Sequence, residues 1–147
     1  MLLPDVNVLL YAHRSDARDH ARFRAWLEGA MEGEEQVGIA DIVLSGFIRV
    51  VTNPRAFAHP TPLDRALKTA GALRSHPNAV PVAPGPRHWE VFRRLCLGSG
   101  ARGNIVPDAY LAALAIEWGA EWITADRDFS RFPGLRWRNP LEEPEAR

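Results

Sequence analysis

Cysteine is almost absent from this sequence, and its single occurrence, Cys96 among 147 residues, excludes an intrachain disulfide bond. Apolar neighbours surround Cys96 in the chain, so we expect its thiol to be a small core group. An excess of charge is also absent, because 18 basic residues balance 18 acidic ones. This balance disfavours broad, charge-driven binding to DNA, although a site can still carry local positive charge.

Long apolar runs are absent as well. No stretch approaches the length that a membrane helix needs, and no charged, then apolar, leader pattern occurs near residue 1. We therefore expect a cytoplasmic protein without a membrane partner. Lysine occurs once, as Lys68, so arginine supplies nearly all the positive charge. The length and the 46% hydrophobic content suffice for one well-packed domain.

The most informative stretch begins with a predicted helix after residue 103. Pro107 suits the first turn of a helix because its missing N–H would be unpaired there anyway. Asp108 is therefore placed at a helix start. Apolar residues then recur at three- and four-residue spacing, and Gly119 is typical of a helix end. Taken alone, Asp108 is explained equally well as a charge favoured by the helix dipole.

A buried strand is predicted next, at residues 122–125, and Asp126 and Asp128 follow it directly. Ligands of an open parallel sheet gather at the carboxyl ends of its strands. Either acid alone is also a common turn former. Carboxylates on one rim repel one another, however, and a bound cation is the usual reason for crowding them. Aspartate oxygens suit Mg²⁺ or Mn²⁺.

A fourth acid, Asp5, lies near the beginning of the chain. It follows a short apolar strand and precedes an apolar run, so a helical run would put Asp5 at a strand end and a helix start. Asn7 could hold this carboxylate or a metal-bound water. A plain N-cap is the simpler interpretation of Asp5. Together with the other three acids, it predicts four carboxylates on one rim.

Three ordered blocks of sequence resemble the PIN-domain family, most closely its VapC toxins of the mycobacterial type. The blocks are D-x-N-V-L-L-Y-A from Asp5, G-N-I-V-P-D-A-Y-L-A-A-L-A from Gly103, and I-T-A-D-R-D-F-S-R-F-P-G-L-R-W from Ile123. The likeness extends from Leu2 to about Pro140. It implies an α/β fold, a PIN-like three-layer α/β/α sandwich with a central, mostly parallel sheet of four or five strands.

The resemblance also implies a function. Members of this group are toxin components of toxin–antitoxin systems, namely Mg²⁺- or Mn²⁺-dependent ribonucleases that hydrolyse RNA, form homodimers and are blocked by a cognate VapB-type antitoxin. The family's metal ligands fall on Asp5, Asp108 and Asp126, and Asp128 is a further catalytic acid. Supporting or substrate-binding roles are expected for four polar residues, which are Asn7, Ser45, Arg49 and Thr124.

One position departs from the family's pattern, in which a glutamate commonly occupies the helix after the second strand. This chain has Gly46 there. Asp41 is one candidate to replace the glutamate, but five residues turn a helix by about 500°, so the two positions point apart. Alternatively, the site uses fewer acids, since Mg²⁺ needs only one or two carboxylates. The third alternative is a noncatalytic PIN-like module that binds RNA or antitoxin. A small-molecule phosphatase using the same acids is a more distant candidate.

The remaining chain alternates between predicted helices and strands, which favours a parallel sheet covered on both faces. We expect a single domain from residue 1 to 140 and a frayed tail from 141 to 147. Arg14, Arg18 and Arg22, four residues apart, are expected to share one face of the helix predicted around residues 15–33. The other predicted elements are strand Val37–Ala40, helix Asp41–Thr52, helix Leu63–Ser75, strand Ala79–Val82, helix Arg87–Gly98 and edge strand Leu135–Trp137.

Overall fold

The structure is a computed structural model that describes residues 1–143. Its strands are β1 (Leu2–Pro4), β2 (Val37–Ala40), β3 (Ala79–Val82), β4 (Glu121–Ile123) and β5 (Trp137–Arg138). Its helices are α1 (Val6–His13), α2 (His20–Glu32), α3 (Asp41–Val51), α4 (Leu63–Arg74), α5 (His88–Ser99) and α6 (Ile105–Glu117), with a 3₁₀ turn at Arg127–Arg131.

The strands form one parallel sheet in the order β3-β2-β1-β4-β5. The first three strands build outward to one side of β1, and β4 and β5 extend the sheet on the other side. The strand order therefore reverses between β1 and β4, where an open α/β sheet leaves a crevice at its carboxyl edge. Pro4 pairs with Ile123 at that edge. Residues directly after β1 and β4 are consequently neighbours.

Side chains of the central strands alternate between two hydrophobic clusters, one on each face of the sheet. Leu3 and Trp122 belong to the larger cluster, which also contains residues of α3, α4, α5 and α6. Leu2 and Ile123 belong to the smaller cluster, with Val8, Ala12 and Phe23 from α1 and α2. The central strands are therefore covered on both faces. The predicted three-layer α/β/α sandwich around a parallel sheet is confirmed.

The predicted arginine face is wrong. Helix α2 begins at His20, and Arg14 is instead the residue that ends α1. Arg14 is only 8% exposed, and its guanidinium pairs with Asp16 at 2.6 Å and lies 3.8 Å from the centre of the Phe57 ring. It also donates a hydrogen bond to the backbone oxygen of His59 at 3.0 Å. Arg14 thus anchors the loop before α4.

The other predicted elements occur within a few residues of their expected bounds. The main difference for the site is that β4 ends at Ile123, so Thr124 and Ala125 lie beyond the strand. Strand β5 is Trp137–Arg138 rather than Leu135–Trp137. Leu141 packs against the smaller cluster, and residues 144–147 of the predicted tail lie outside the described residues. No helix within residues 1–143 has the length and apolarity to span a bilayer.

Candidate active site

Asp5 lies at the carboxyl end of β1 and caps the N-terminus of α1. Its backbone is extended, with φ −76° and ψ 162°, and its Oδ1 accepts a hydrogen bond from the backbone N–H of Val6 at 2.6 Å. The N-cap interpretation therefore holds for one carboxylate oxygen. The side chain is only 6% exposed, which is unusual for an N-cap acid. Its other oxygen takes part in a separate network.

That network joins the beginning of the chain to the segment after β4. The Thr124 hydroxyl donates to Asp5 Oδ2 at 2.7 Å, and Asn7 Nδ2 donates to Asp5 Oδ2 at 3.2 Å and to Thr124 Oγ1 at 3.0 Å. The backbone N–H of Ala125 donates to Asn7 Oδ1 at 3.1 Å. The backbone N–H of Asp126 donates to Thr124 Oγ1 at 3.1 Å. Asn7 and Thr124 therefore orient Asp5 and fix the approach of Asp126.

Asp126 and Asp128 follow Thr124 but differ in their surroundings. Asp126 caps the 3₁₀ turn, where its Oδ1 accepts a hydrogen bond from the backbone N–H of Asp128 at 2.9 Å. The Asp128 side chain is exposed and lies 3.8 Å from the Arg131 guanidinium. Asp126 is thus fixed at the edge of the sheet, whereas Asp128 extends from the rim into solvent.

Asp108 completes the group from the first turn of α6, where it is half-buried. Burial is the main cause that raises the pKa of Asp108, and the charge of Asp126 raises it further. The charge of Arg131 opposes this effect, while Asp128 adds to it. Arg131 is not among the site residues predicted from the sequence. Its spacing of three residues from Asp128 on a helical turn is the signal that could have identified it.

The carboxylates influence one another electrostatically. Burial raises the pKa of Asp5 from 3.8 to about 6, against the hydrogen bonds from Thr124 and Val6, and the charges of Asp108 and Asp126 add to the increase. Negative charge is therefore costly at this position, and a cation would relieve the cost. Oxygen ligands of this kind fit a hard divalent ion. Within residues 1–143, no three acidic, histidine or cysteine side chains already converge at metal-ligand spacing.

Gly46 lies beside this group, in the middle of α3. A Cβ atom at Gly46 would lie 2.9 Å from Cγ2 of Val6, so α3 and α1 approach closely there. Ser45 and Arg49, the other two candidates on α3, line a cavity next to Gly46. Asp41 cannot replace the missing glutamate, because its exposed carboxylate pairs with Arg74 of α4 at 2.8 Å. That ion pair lowers the pKa of Asp41.

Comparison with known proteins places this geometry in a family. The PIN-domain family model matches residues 2–135. VapC ribonuclease Mb2897 of Mycobacterium bovis is 51% identical over 142 residues, with 97% of each chain covered. Helices and sheet also match two solved structures, each with 18% sequence identity. One is VapBC2 of Rickettsia felis bound to a promoter DNA fragment, with a TM-score of 0.67 and coverage of 94% of this chain and 97% of that one.

The other solved structure is Mycobacterium tuberculosis VapC20, described as a toxin that cleaves the sarcin–ricin loop. Its TM-score is 0.63, with coverage of 92% of this chain and 99% of that one. At 18% identity, the two structures establish the fold alone. The family-model match and the 51% identity establish the relationship itself. The chain belongs to the PIN-domain family and, within it, to the VapC ribonucleases of the mycobacterial type.

Proposed function

We propose that this protein is the toxin of a toxin–antitoxin pair and a divalent-metal-dependent ribonuclease that hydrolyses RNA phosphodiester bonds. The observation that carries this proposal is that Asp5 and Asp126 follow the paired strands β1 and β4 at one edge of the sheet, where the charges of Asp108 and Asp126 both act on Asp5. Burial raises the pKa of Asp5 and of Asp108, and the charges of neighbouring carboxylates add to both increases, which suits the site to a cation. The 51% identity to a VapC ribonuclease supports the assignment of RNA as the substrate.

In this proposal, Asp5, Asp108 and Asp126 would hold Mg²⁺ or Mn²⁺. When bound, the ion supplies Lewis acidity that lowers the pKa of a water and offsets charge on the phosphate. Asn7 and Thr124 keep Asp5 oriented through their hydrogen bonds to Oδ2. The exposed carboxylate of Asp128 would orient the attacking water and accept its proton as the bond between phosphorus and the leaving oxygen breaks. A single ion is favoured, because Gly46 contributes no carboxylate.

The proposed partners are a VapB-type antitoxin and a second copy of this chain. Solved VapBC complexes share the fold, which supports an antitoxin partner. Two large apolar residues, Trp89 and Leu97, are each 70% exposed on α5 and lie eight positions apart, on one side of the helix. Such a patch suits a homodimer contact. Cellular RNA is the proposed substrate, so the place of action is the cytoplasm.

Induced expression in bacteria tests the proposed function. We expect wild type to stop growth and degrade RNA, and co-expression of an adjacent antitoxin gene to restore growth. Asp108→Asn should remove toxicity. Asp64→Asn is the matched control, because Asp64 is also an acid in the first turn of a helix but lies outside the crevice. Equal toxicity of Asp108→Asn and wild type would contradict the proposed site.

A further inference from the structure

A cavity of about 300 Å³ adjoins the acidic crevice, between α1, α3 and α6. Val6 and Pro107 form part of its wall, and they are the chain neighbours of Asp5 and Asp108. Tyr110 and Leu111 continue the wall along α6. Any group that enters this cavity therefore lies directly beside the position at which the proposed metal and phosphate would be held.

Glycine at position 46 leaves no side chain of its own in the cavity. Gly46 forms part of the wall, and a Cβ atom there would already lie 2.9 Å from Val6 Cγ2. A larger side chain at this position would push Val6 aside or occupy the cavity. The residue that removes a carboxylate from the family's pattern thus also lets α1 and α3 approach closely beside the cavity.

The lining of the cavity is chemically mixed. Val6, Ile42 and Leu111 are apolar, and the Tyr110 ring is held by the His88 ring, with ring centres 4.4 Å apart. Ser45 and Arg49 supply a hydroxyl and a guanidinium and are exposed. The guanidinium of Arg49 makes no ion pair or hydrogen bond with any residue in the range 1–143. Its charge is therefore available to an anionic ligand.

These features match the chemistry of a nucleotide. A base presents a flat, largely apolar face that packs on aromatic and aliphatic side chains, and stacking of this kind tolerates any base. Its phosphate is the partner that an arginine fork binds well. A peptide side chain would use the apolar walls but would leave Arg49 without a phosphate beside the proposed cleavage position.

We propose that this cavity receives the base of a nucleotide adjoining the scissile phosphate, and that Arg49 binds a neighbouring phosphate of the same RNA. The inference rests on the proposed ribonuclease function, because that function places a phosphodiester at the acids. It makes α3 a determinant of cleavage-site choice. Ser45 at the rim provides a hydroxyl that can hydrogen-bond to a base edge.

The first test measures binding without catalysis. The four nucleoside 5′-monophosphates are titrated into wild type in EDTA and followed by amide NMR shifts, with ribose 5-phosphate as the probe that lacks a base. We expect at least one nucleotide to shift the amides of Ser45, Gly46 and Tyr110, and ribose 5-phosphate to leave Tyr110 unchanged. Equal shifts from ribose 5-phosphate, or no shifts at these amides, would overturn the proposal.

A filling variant shows whether the cavity itself binds the base. Ile42 lies on the cavity wall and is 46% exposed, so Ile42→Trp can block the space while the core stays packed. We expect this variant to weaken nucleotide binding about tenfold, the loss of one stacked base. Leu67→Trp is the control, because Leu67 is an exposed leucine of α4 outside the cavity. Equal affinities of the two variants would refute the base pocket.

Mapping the 5′ ends of RNA fragments links the cavity to cleavage. We expect wild type to favour particular bases beside the cut, and Ile42→Trp to lose this preference while Leu67→Trp keeps it. An unchanged preference in Ile42→Trp would overturn the role in cleavage-site choice. If wild type cleaves no RNA, the proposed ribonuclease function fails, and the titration in EDTA still decides whether the cavity binds a base.

Discussion

At the scale of single residues, Asp5 is the acid of the site whose negative charge is most unfavourable in the fold. This side chain is buried, receives hydrogen bonds from Val6 and Thr124, and still has a pKa raised to about 6, because desolvation outweighs those bonds. An ionised Asp5 therefore destabilises the metal-free fold. The same buried negative charge favours the binding of a cation. Metal binding at Asp5 therefore comes at the expense of the stability of the metal-free protein.

The first prediction concerns the pH dependence of unfolding. A pKa raised from 3.8 in the unfolded chain to about 6 in the fold contributes stability that is present below pH 4 and lost as pH rises through 6. The loss corresponds to about 3 kcal/mol. Asp5→Asn cannot ionise, so in EDTA its stability relative to wild type should increase between pH 4 and pH 8. Denaturant unfolding at several pH values measures this difference.

The control for that experiment is Asp19→Asn. Asp19 is the residue before α2 and corresponds to Asp5 in position, but its side chain is exposed and makes no capping hydrogen bond. This variant measures the pH-dependent difference in stability that an exposed carboxylate before a helix produces. If the difference for Asp5→Asn is no larger than that for Asp19→Asn, the raised pKa of Asp5 is wrong.

The second prediction concerns Thr124, which is fully buried and connects Asp5, Asn7 and Asp126. Thr124→Val preserves the shape but removes the hydroxyl and leaves polar partners unsatisfied, which costs about 1–3 kcal/mol. It also removes a hydrogen bond that lowers the pKa of Asp5, so we expect about tenfold weaker Mn²⁺ binding at pH 7. Calorimetric titration measures the affinity, and Thr124→Ser should restore it.

Thr52→Val serves as the control for Thr124→Val. The hydroxyl of Thr52 donates only to the backbone oxygen of Ile48, at 2.7 Å, at the end of α3. Removal of this hydroxyl should leave Mn²⁺ affinity unchanged. Equal Mn²⁺ affinities in wild type, Thr124→Val and Thr52→Val would show that Thr124 does not position a metal ligand.

At the scale of the elements, the close approach of α1 and α3 determines which side chains fit at position 46. Gly46→Glu restores the family's residue, but its Cβ would meet Val6 Cγ2 at 2.9 Å. The third prediction is that this variant loses about 1–3 kcal/mol of stability, as overpacked sites do. Val6→Ala with Gly46→Glu should recover stability and bind Mn²⁺ more tightly than wild type.

A double-mutant cycle over Val6→Ala and Gly46→Glu separates the effect of the steric contact between the two residues from the effect of the added carboxylate. Since the two residues touch, we expect their effects on the free energy of unfolding to be non-additive. Additive effects would contradict the contact between α1 and α3. Tighter Mn²⁺ binding in the single variant Gly46→Glu, without loss of stability, would also contradict it.

Much of the element pattern can be predicted from the sequence, because local signals determine it. Strands β2 and β3 occur at the predicted residues, and Asp5 and Asp108 lie at helix starts as expected. The beginning of α2 was not predicted correctly. The regular spacing of arginines there cannot reveal that Arg14 finds its partners in a loop about 45 residues away.

The cavity beside Gly46 also lies beyond sequence reasoning. Its walls come from α1, α3 and α6, and their arrangement depends on how the helices pack on the sheet. The same holds for the ion pair between Asp41 and Arg74. Helical geometry predicted that Asp41 points away from position 46, but only the fold shows what it contacts.

At the scale of the whole molecule, association is the fourth prediction. Trp89 and Leu97 are exposed on one side of α5, and a second copy could cover them. Light scattering should give the mass of a dimer for wild type. Trp89→Glu with Leu97→Glu should give a monomer, because buried charges destabilise an apolar contact. Leu67→Glu, a change on α4, should stay dimeric, and a monomeric wild type would contradict the prediction.

The proposed function requires the acids of the β1–β4 crevice to act together on a metal and on RNA. The most direct measurement is Mn²⁺ titration calorimetry, followed by incubation of the same samples with total RNA, for wild type, Asp108→Asn and Asp64→Asn. We predict metal binding and EDTA-sensitive cleavage in wild type and Asp64→Asn, with both lost in a folded Asp108→Asn. Absence of binding and cleavage in folded wild type would contradict the account and favour a noncatalytic PIN-like module.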